Sequence, residues 1–152
     1  MYLFEMLGEV HLPVETIRAN SAEFMKIFHQ SLSDQEIKVR VAALKATAAF
    51  LCSIDNTMIV FQFQSILEEM INTTVLAINA DEEKGRETLE TFAQLAEYHP
   101  ELFRPFAGKL VEVVAEVMSH CGLENKTRTS ATEVVVTLCE KSGTIMRTIE
   151  QI

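Results

Sequence analysis

Four histidines and three cysteines are the side chains best suited to hold a metal or attack a substrate, and their spacing suits neither task. His11, His29, His99 and His120 are scattered. They form no H-E-x-x-H run and no His/Cys pattern with metal-ligand spacing. His120 and Cys121 are adjacent, so on a helix they point roughly 100° apart and do not chelate easily. Cys52, Cys121 and Cys139 are an odd number without a C-x-x-C pair, which predicts free thiols in a reducing compartment. A G-x-S-x-G elbow and a glycine-rich phosphate loop are both missing. Carboxylates cluster at Glu68-Glu69 and Asp81-Glu82-Glu83, at a helix surface and a helix start. There they solvate the surface and compensate the helix dipole. The reading is a protein without catalytic residues, cofactor or metal.

Charge narrows the partners. Thirteen Lys and Arg stand against 22 Asp and Glu, a net charge of −9. Nucleic acid binding needs clustered cations and is not expected; an acidic surface better matches basic segments of other proteins. Lys45 interrupts the apolar run 41–54, and Glu112 and Glu116 interrupt 110–118, so no membrane span is expected. The N-terminus has no basic region of a secretory signal. At 48% hydrophobic and 23% charged residues the 152-residue chain has the composition of a folded domain. Five glycines and three prolines are too few for a turn-rich all-β fold.

The elements that would position any site are helices. Apolar residues recur at three and four through 34–54 (Val39, Ala43, Ala46, Phe50, Ile54), with Asp34 as the expected N-cap. Further helices are predicted at about 58–78, 81–98, 105–120 and 125–141, with one starting near Gly143 and one ending over Leu3–Val10. Three of them open alike, with Lys38-Val-Arg40, Lys84-Gly-Arg86 and Lys126-Thr-Arg128. Three residues beyond each arginine stand Ala43, Leu89 and Ala131; six beyond stand Ala46, Phe92 and Val134; ten beyond stand Phe50, Ala96 and Leu138. These offsets share one side of a helix. Helix pairs repeating every ~40–47 residues are the HEAT/armadillo signature. The fold class is therefore all-α, a HEAT-repeat α-solenoid of about three and a half helix pairs. It forms one array: a partial repeat 1–33, repeats 34–80 and 81–122, and a partial repeat 123–152. The pattern runs off both ends, as in an internal slice of a longer solenoid. Leu3, Phe4, Ile145 and Ile149 are expected to be poorly covered, giving fraying or self-association.

Opposite the buried face lie Val41, Lys45, Ala48 and Cys52 on the first full repeat. Glu87, Thr91, Gln94 and Tyr98 follow on the second, then Thr129, Glu133, Val136 and Glu140. The second helices carry polar stripes, Gln62, Ser65, Glu69, Asn72 and Lys109, Glu112, Glu116, Ser119, preceded by Glu23, Lys26 and Gln30. In a stack such stripes would align into a ladder on the inner surface, where solenoids hold long ligands. Glu69, Glu112 and Glu116 would pair Lys or Arg of a basic peptide, and Asn72 would hold its backbone. Gly85, inside a helix, costs about 1 kcal/mol relative to Ala and would permit close packing.

The run Val39-Arg-Val-Ala-Ala-Leu-Lys-Ala-Thr-Ala-Ala-Phe-Leu51 resembles the first helix of a HEAT repeat in the importin-β (karyopherin-β) family. The stretches 99–106 (H-P-E-L-F-R-P-F) and 132–140 (T-E-V-V-V-T-L-C-E) are similar to its importin beta-3, or importin 5, branch. The resemblance covers essentially the whole chain and places it in the N-terminal third of such a receptor. It implies a nuclear transport receptor that shuttles between cytoplasm and nucleus. Its partners would be basic cargo proteins, phenylalanine-glycine (FG) nucleoporins on the outer surface, and Ran-GTP. The expected outer slot for a phenylalanine uses Val41, Ala48 and Cys52 on one first helix, facing Gln94 and Tyr98 on the next. Most repeats of a full receptor and its long acidic loop are missing, so closure around Ran is not expected. A HEAT scaffold of a phosphatase, kinase or coat complex shares the same fold and repeat.

Overall fold

The computed structural model describes residues 13–143 and Arg147. The predicted helix over Leu3–Val10, and Leu3, Phe4, Ile145 and Ile149, lie outside the described residues. The fold is the expected all-α HEAT-repeat stack. The helices are α1 (Val14–Ala19), α2 (Ser21–Leu32), α3 (Ile37–Cys52), α4 (Thr57–Val60), α5 (Leu67–Ala80), α6 (Glu82–Tyr98), α7 (Ala107–Ser119) and α8 (Asn125–Lys141). Two 3₁₀ segments, Phe61–Ile66 and Pro100–Phe106, lead into α5 and α7. Among the described residues, two full helix pairs stand between α2 on one side and α8 on the other. Among the described residues there is no strand, and no helix is long and apolar enough to cross a membrane.

Local chemistry sets the boundaries. The Asp81 carboxylate accepts the Lys84 N–H at 3.3 Å and caps α6, whose first turn carries Glu82 and Glu83. Asp34, expected as the N-cap of α3, instead accepts the Glu36 N–H at 2.8 Å in the preceding turn, and Glu36 takes the cap position. The predicted helix 58–78 is broken: α4 is followed by a 3₁₀ segment before α5 begins. Buried Val60, Phe63 and Ile66 are three apart, the spacing that three residues per turn aims in one direction. The predicted start at Pro105 moves to Ala107. Pro105 cannot donate the helical i→i−4 bond, and its ring crowds the preceding turn.

The repeat has two different periods. The arginines that open α3 and α6 are 46 residues apart, whereas Phe63, Met70 and Ala77 of one second helix recur as Phe103, Leu110 and Val117, 40 residues on. The difference is taken up by α4, capped where the Asn56 side chain accepts the N–H groups of Met58 at 3.1 Å and Ile59 at 3.4 Å.

The predicted inward positions are inward. Ala43, Ala46, Phe50, Leu89, Phe92, Ala96, Ala131, Val134 and Leu138 are all buried. Each full pair closes on an edge-to-face aromatic contact between its first helix and its 3₁₀ segment. These are Phe50–Phe63 at 5.5 Å between ring centroids and Phe92–Phe103 at 5.8 Å. Phe24 and Phe28 of α2 join the first cluster. First helices pack on first helices, most extensively α6 on α8. The second helices α5 and α7 approach each other less closely. Gly85 explains itself here: a Cβ would fall 2.4 Å from the Ile78 Cγ1 atom and 2.6 Å from the Ile78 Cα atom.

Candidate functional site

An open groove of about 640 Å³ runs between α3 and α6, the first helices of successive pairs. That lies within the roughly 300–1,000 Å³ range of ligand clefts. Its α3 wall is built from small side chains, Val41, Ala42, Ala46 and Ala49. Thr91 and Gln94 line the α6 wall, and Lys38, Lys45, Lys84 and Glu87 supply its charge. The Glu87 carboxylate accepts from Lys84 Nζ at 2.7 Å on its own helix and from Lys45 Nζ at 3.1 Å across the groove. The Lys84 ammonium, and after it Lys45, hold the Glu87 carboxyl below the usual carboxylate range.

The five expected outer residues divide. Val41 and Gln94 line this groove together. Val41 and Ala48, expected to face outward, are each only 3% exposed. This is a correction with a packing cause: α3 is flanked by α2, α5 and α6, which cover most of its circumference. Cys52 is half-buried, and burial pushes its thiol up to about 11. Tyr98 is 59% exposed and lines a separate, smaller cleft with Phe61, His99 and Pro100. The sequence reading missed Lys38, Lys84, Ala42 and Ala49 as groove residues. The K-x-R openings of α3 and α6 were the available signal for both lysines.

Polar contacts join successive repeats, and two of them engage a residue of the expected inner stripes, Glu69 and Lys109. His29 Nδ1 donates to the Glu69 carboxylate at 2.6 Å, joining α2 to α5. Lys109 pairs with Glu68 at 3.0 Å, joining α5 to α7. On the other layer Lys141 reaches Glu97 at 3.4 Å. Glu82 accepts from the Thr127 hydroxyl and the Glu124 N–H, both at 2.7 Å. These two donors, the hydroxyl first, hold the Glu82 carboxyl below its usual range. His99 Nε2 donates to the Leu51 carbonyl at 3.0 Å and so satisfies the C-terminal turn of α3. Burial lowers the His99 pKa, against the opposing pull of that bond.

Of the four expected inner residues, Glu69 is thus already engaged by His29. Asn72 and Glu112 are exposed. Glu116 borders a shallow cleft with Val75, Asn79 and His120 between the C-terminal halves of α5 and α7. Among the described residues no group of three His, Cys, Asp or Glu side chains is placed to hold a metal. The three cysteines are free.

Residues 15–113 match the family described as IPO5-like, TPR repeats. The chain belongs to this family. The match spans the groove, both full first helices and most of the second ones. The 40- and 46-residue periods are those of HEAT pairs and exceed the about 34 residues of a TPR unit. The chain is also 25% identical over 147 residues to the probable importin-5 homolog of Dictyostelium discoideum. That alignment covers 96% of this chain and 14% of the relative's length. In this IPO5-like family member, the groove between α3 and α6 lies wholly within the matched residues.

Proposed function

We propose that the chain is part of a nuclear transport receptor of the importin-5 kind, shuttling between cytoplasm and nucleus and binding proteins without catalysis. The observation that carries this reading is the groove between α3 and α6, formed within repeats that match the importin-5-like family. A phenylalanine ring of an FG nucleoporin would lie on Val41, Ala42, Ala46 and Ala49, with Gln94 holding peptide backbone. Burying such a side chain is worth about 1.5–3 kcal/mol, less the entropy of fixing a flexible peptide, so one slot binds weakly. Several slots in a longer array would add through avidity. Basic cargo would lie along α5 and α7, where Asn72, Glu112 and Glu116 are open. Glu69 would serve only by exchanging His29 for a cargo cation. Ran-GTP is a partner of the complete receptor in this reading.

The test is a titration of the chain with an FG peptide and, separately, with a basic peptide, followed by amide shifts. Shifts at Val41, Ala46 and Gln94 with the first, and at Asn72, Glu112 and Glu116 with the second, are expected. If neither peptide moves these positions, and neither Ran-GTP nor FG nucleoporins are retained in a pull-down, the scaffold reading takes its place.

A further inference from the structure

The groove between α3 and α6 is unusual for this chain in its charge. The protein carries −9 overall, yet three of its thirteen cationic side chains, Lys38, Lys45 and Lys84, converge on one groove. The only carboxylate among its lining residues is Glu87, and both Lys45 and Lys84 bond to it. One carboxylate offsets one ammonium, so the lining keeps a net positive charge. Lys45 and Lys84 are themselves about half exposed, with side-chain exposures of 51% and 40%. Ala46 and Ala49 continue the groove beyond these charges, toward the C-terminal half of α3, and leave an apolar floor without bulky side chains.

We propose that this groove selects an extended segment of a partner protein in which carboxylates stand beside an apolar anchor, in preference to one with neutral neighbours. The proposal rests on the reading of the groove as a peptide slot and specifies its occupant's chemistry. The anchor sits on Ala46 and Ala49, and the neighbouring carboxylates meet Lys38, Lys45 and Lys84, which all lie toward the N-terminal ends of α3 and α6. A phenylalanine-glycine segment with glutamate neighbours has this character. A basic segment does not, so the two surfaces of the protein sort ligands by opposite charge. Binding at a groove that only recognises an aromatic ring would be insensitive to salt. Here the charged part is exposed, so it weakens as the Debye length falls from about 10 Å at 0.1 M salt to about 3 Å at 1 M.

The experiment uses two labelled peptides, Ser-Glu-Phe-Gly-Glu-Ser and its Glu→Gln counterpart, titrated into the chain at low and high salt. At low salt the acidic peptide is expected to bind about three- to tenfold tighter, as two exposed ion pairs would give. The advantage should disappear near 1 M salt. Replacing Lys38→Gln together with Lys84→Gln should erase the difference, and Glu87→Gln should widen it, since it frees two ammonium groups. Circular dichroism verifies that these surface variants stay helical. Equal binding of both peptides at low salt overturns the charge preference while leaving the slot intact. Binding of neither peptide overturns both. Tighter binding of the acidic peptide that persists unchanged in the Lys38/Lys84 double variant places the preference elsewhere and also refutes the proposal.

Discussion

Gly85→Ala sets two physical effects of opposite sign against each other at one buried position in α6. Helix propensity alone predicts a gain of about 1 kcal/mol, because alanine loses less backbone entropy than glycine on forming a helix. Packing predicts a loss. The new Cβ would stand 2.4 Å from Ile78 Cγ1, 2.6 Å from Ile78 Cα and 2.8 Å from Ile78 N, all on α5. A side-chain rotation of Ile78 can relieve the first contact only. The other two involve backbone, so the α5–α6 elbow must open at Ala80-Asp81. Overpacking of this kind costs about 1–3 kcal/mol. Opening the elbow also loosens Ala77, Thr88 and Leu89, which are fully buried beside it. Because backbone atoms must give way, the cost falls in the upper part of that range, about 2–3 kcal/mol, and the net expectation is a loss of about 1–2 kcal/mol, or a melting temperature lower by about 2–8 °C for a chain of this size. Urea unfolding followed by helical circular dichroism measures it. Gly143, where a Cβ would meet nothing within 4 Å, provides the comparison for alanine substitution without a clash. A Gly85→Ala midpoint equal to or above the parent's would refute the packing argument.

Phe92→Ala should cost about 3–5 kcal/mol, since Phe92 is 1% exposed and packs edge-on against Phe103; a urea midpoint within error of the parent would count against the core assignment. Thr73 carries a buried hydroxyl without a hydrogen-bond partner among the described residues, so Thr73→Val should be neutral or stabilising by up to about 1 kcal/mol, and clear destabilisation in thermal melts would reveal a missed partner. Asn56→Ala should cost about 0.5–2 kcal/mol by uncapping α4, read as local loss of hydrogen-exchange protection at Met58 and Ile59. His99 has its pKa lowered by burial, so the folded state binds its proton at lower pH than the unfolded state does. Its contribution is complete above the unfolded value of about 6.5 and falls as pH drops through the folded pKa. His99→Gln should therefore flatten the decline in urea midpoint below about pH 6.5, and an unchanged slope would exclude His99 as its source.

Spacing alone determined the first helices and their inward faces, though not the 3₁₀ segments that lead into α5 and α7. Leu89, Phe92, Ala131 and Val134 could be assigned to the core because helical periodicity is a local property, written within a few turns of chain. The helix-pair period was legible for the same reason, and so was the HEAT class. What the stack covers was not legible. Val41 and Ala48 occupy the same helical offsets as Glu87 and Gln94, yet the first two are buried, Glu87 is half-buried and Gln94 is exposed, because equivalent helices meet different neighbours: α3 packs against α2 and α6, α6 against α3 and α8. Burial outside a helix's own apolar stripe depends on which elements arrive from elsewhere in the chain. The polar stripes posed the same problem: His29 and Glu69, or Lys45 and Glu87, are about 40 residues apart, and only the stacking of successive pairs decides that they bond to each other. The groove itself belongs wholly to the tertiary structure. Of its alanines only Ala46 belongs to the predicted core stripe, and two of its three lysines read in the sequence as helix openings; the gap between α3 and α6 sets them around one cleft.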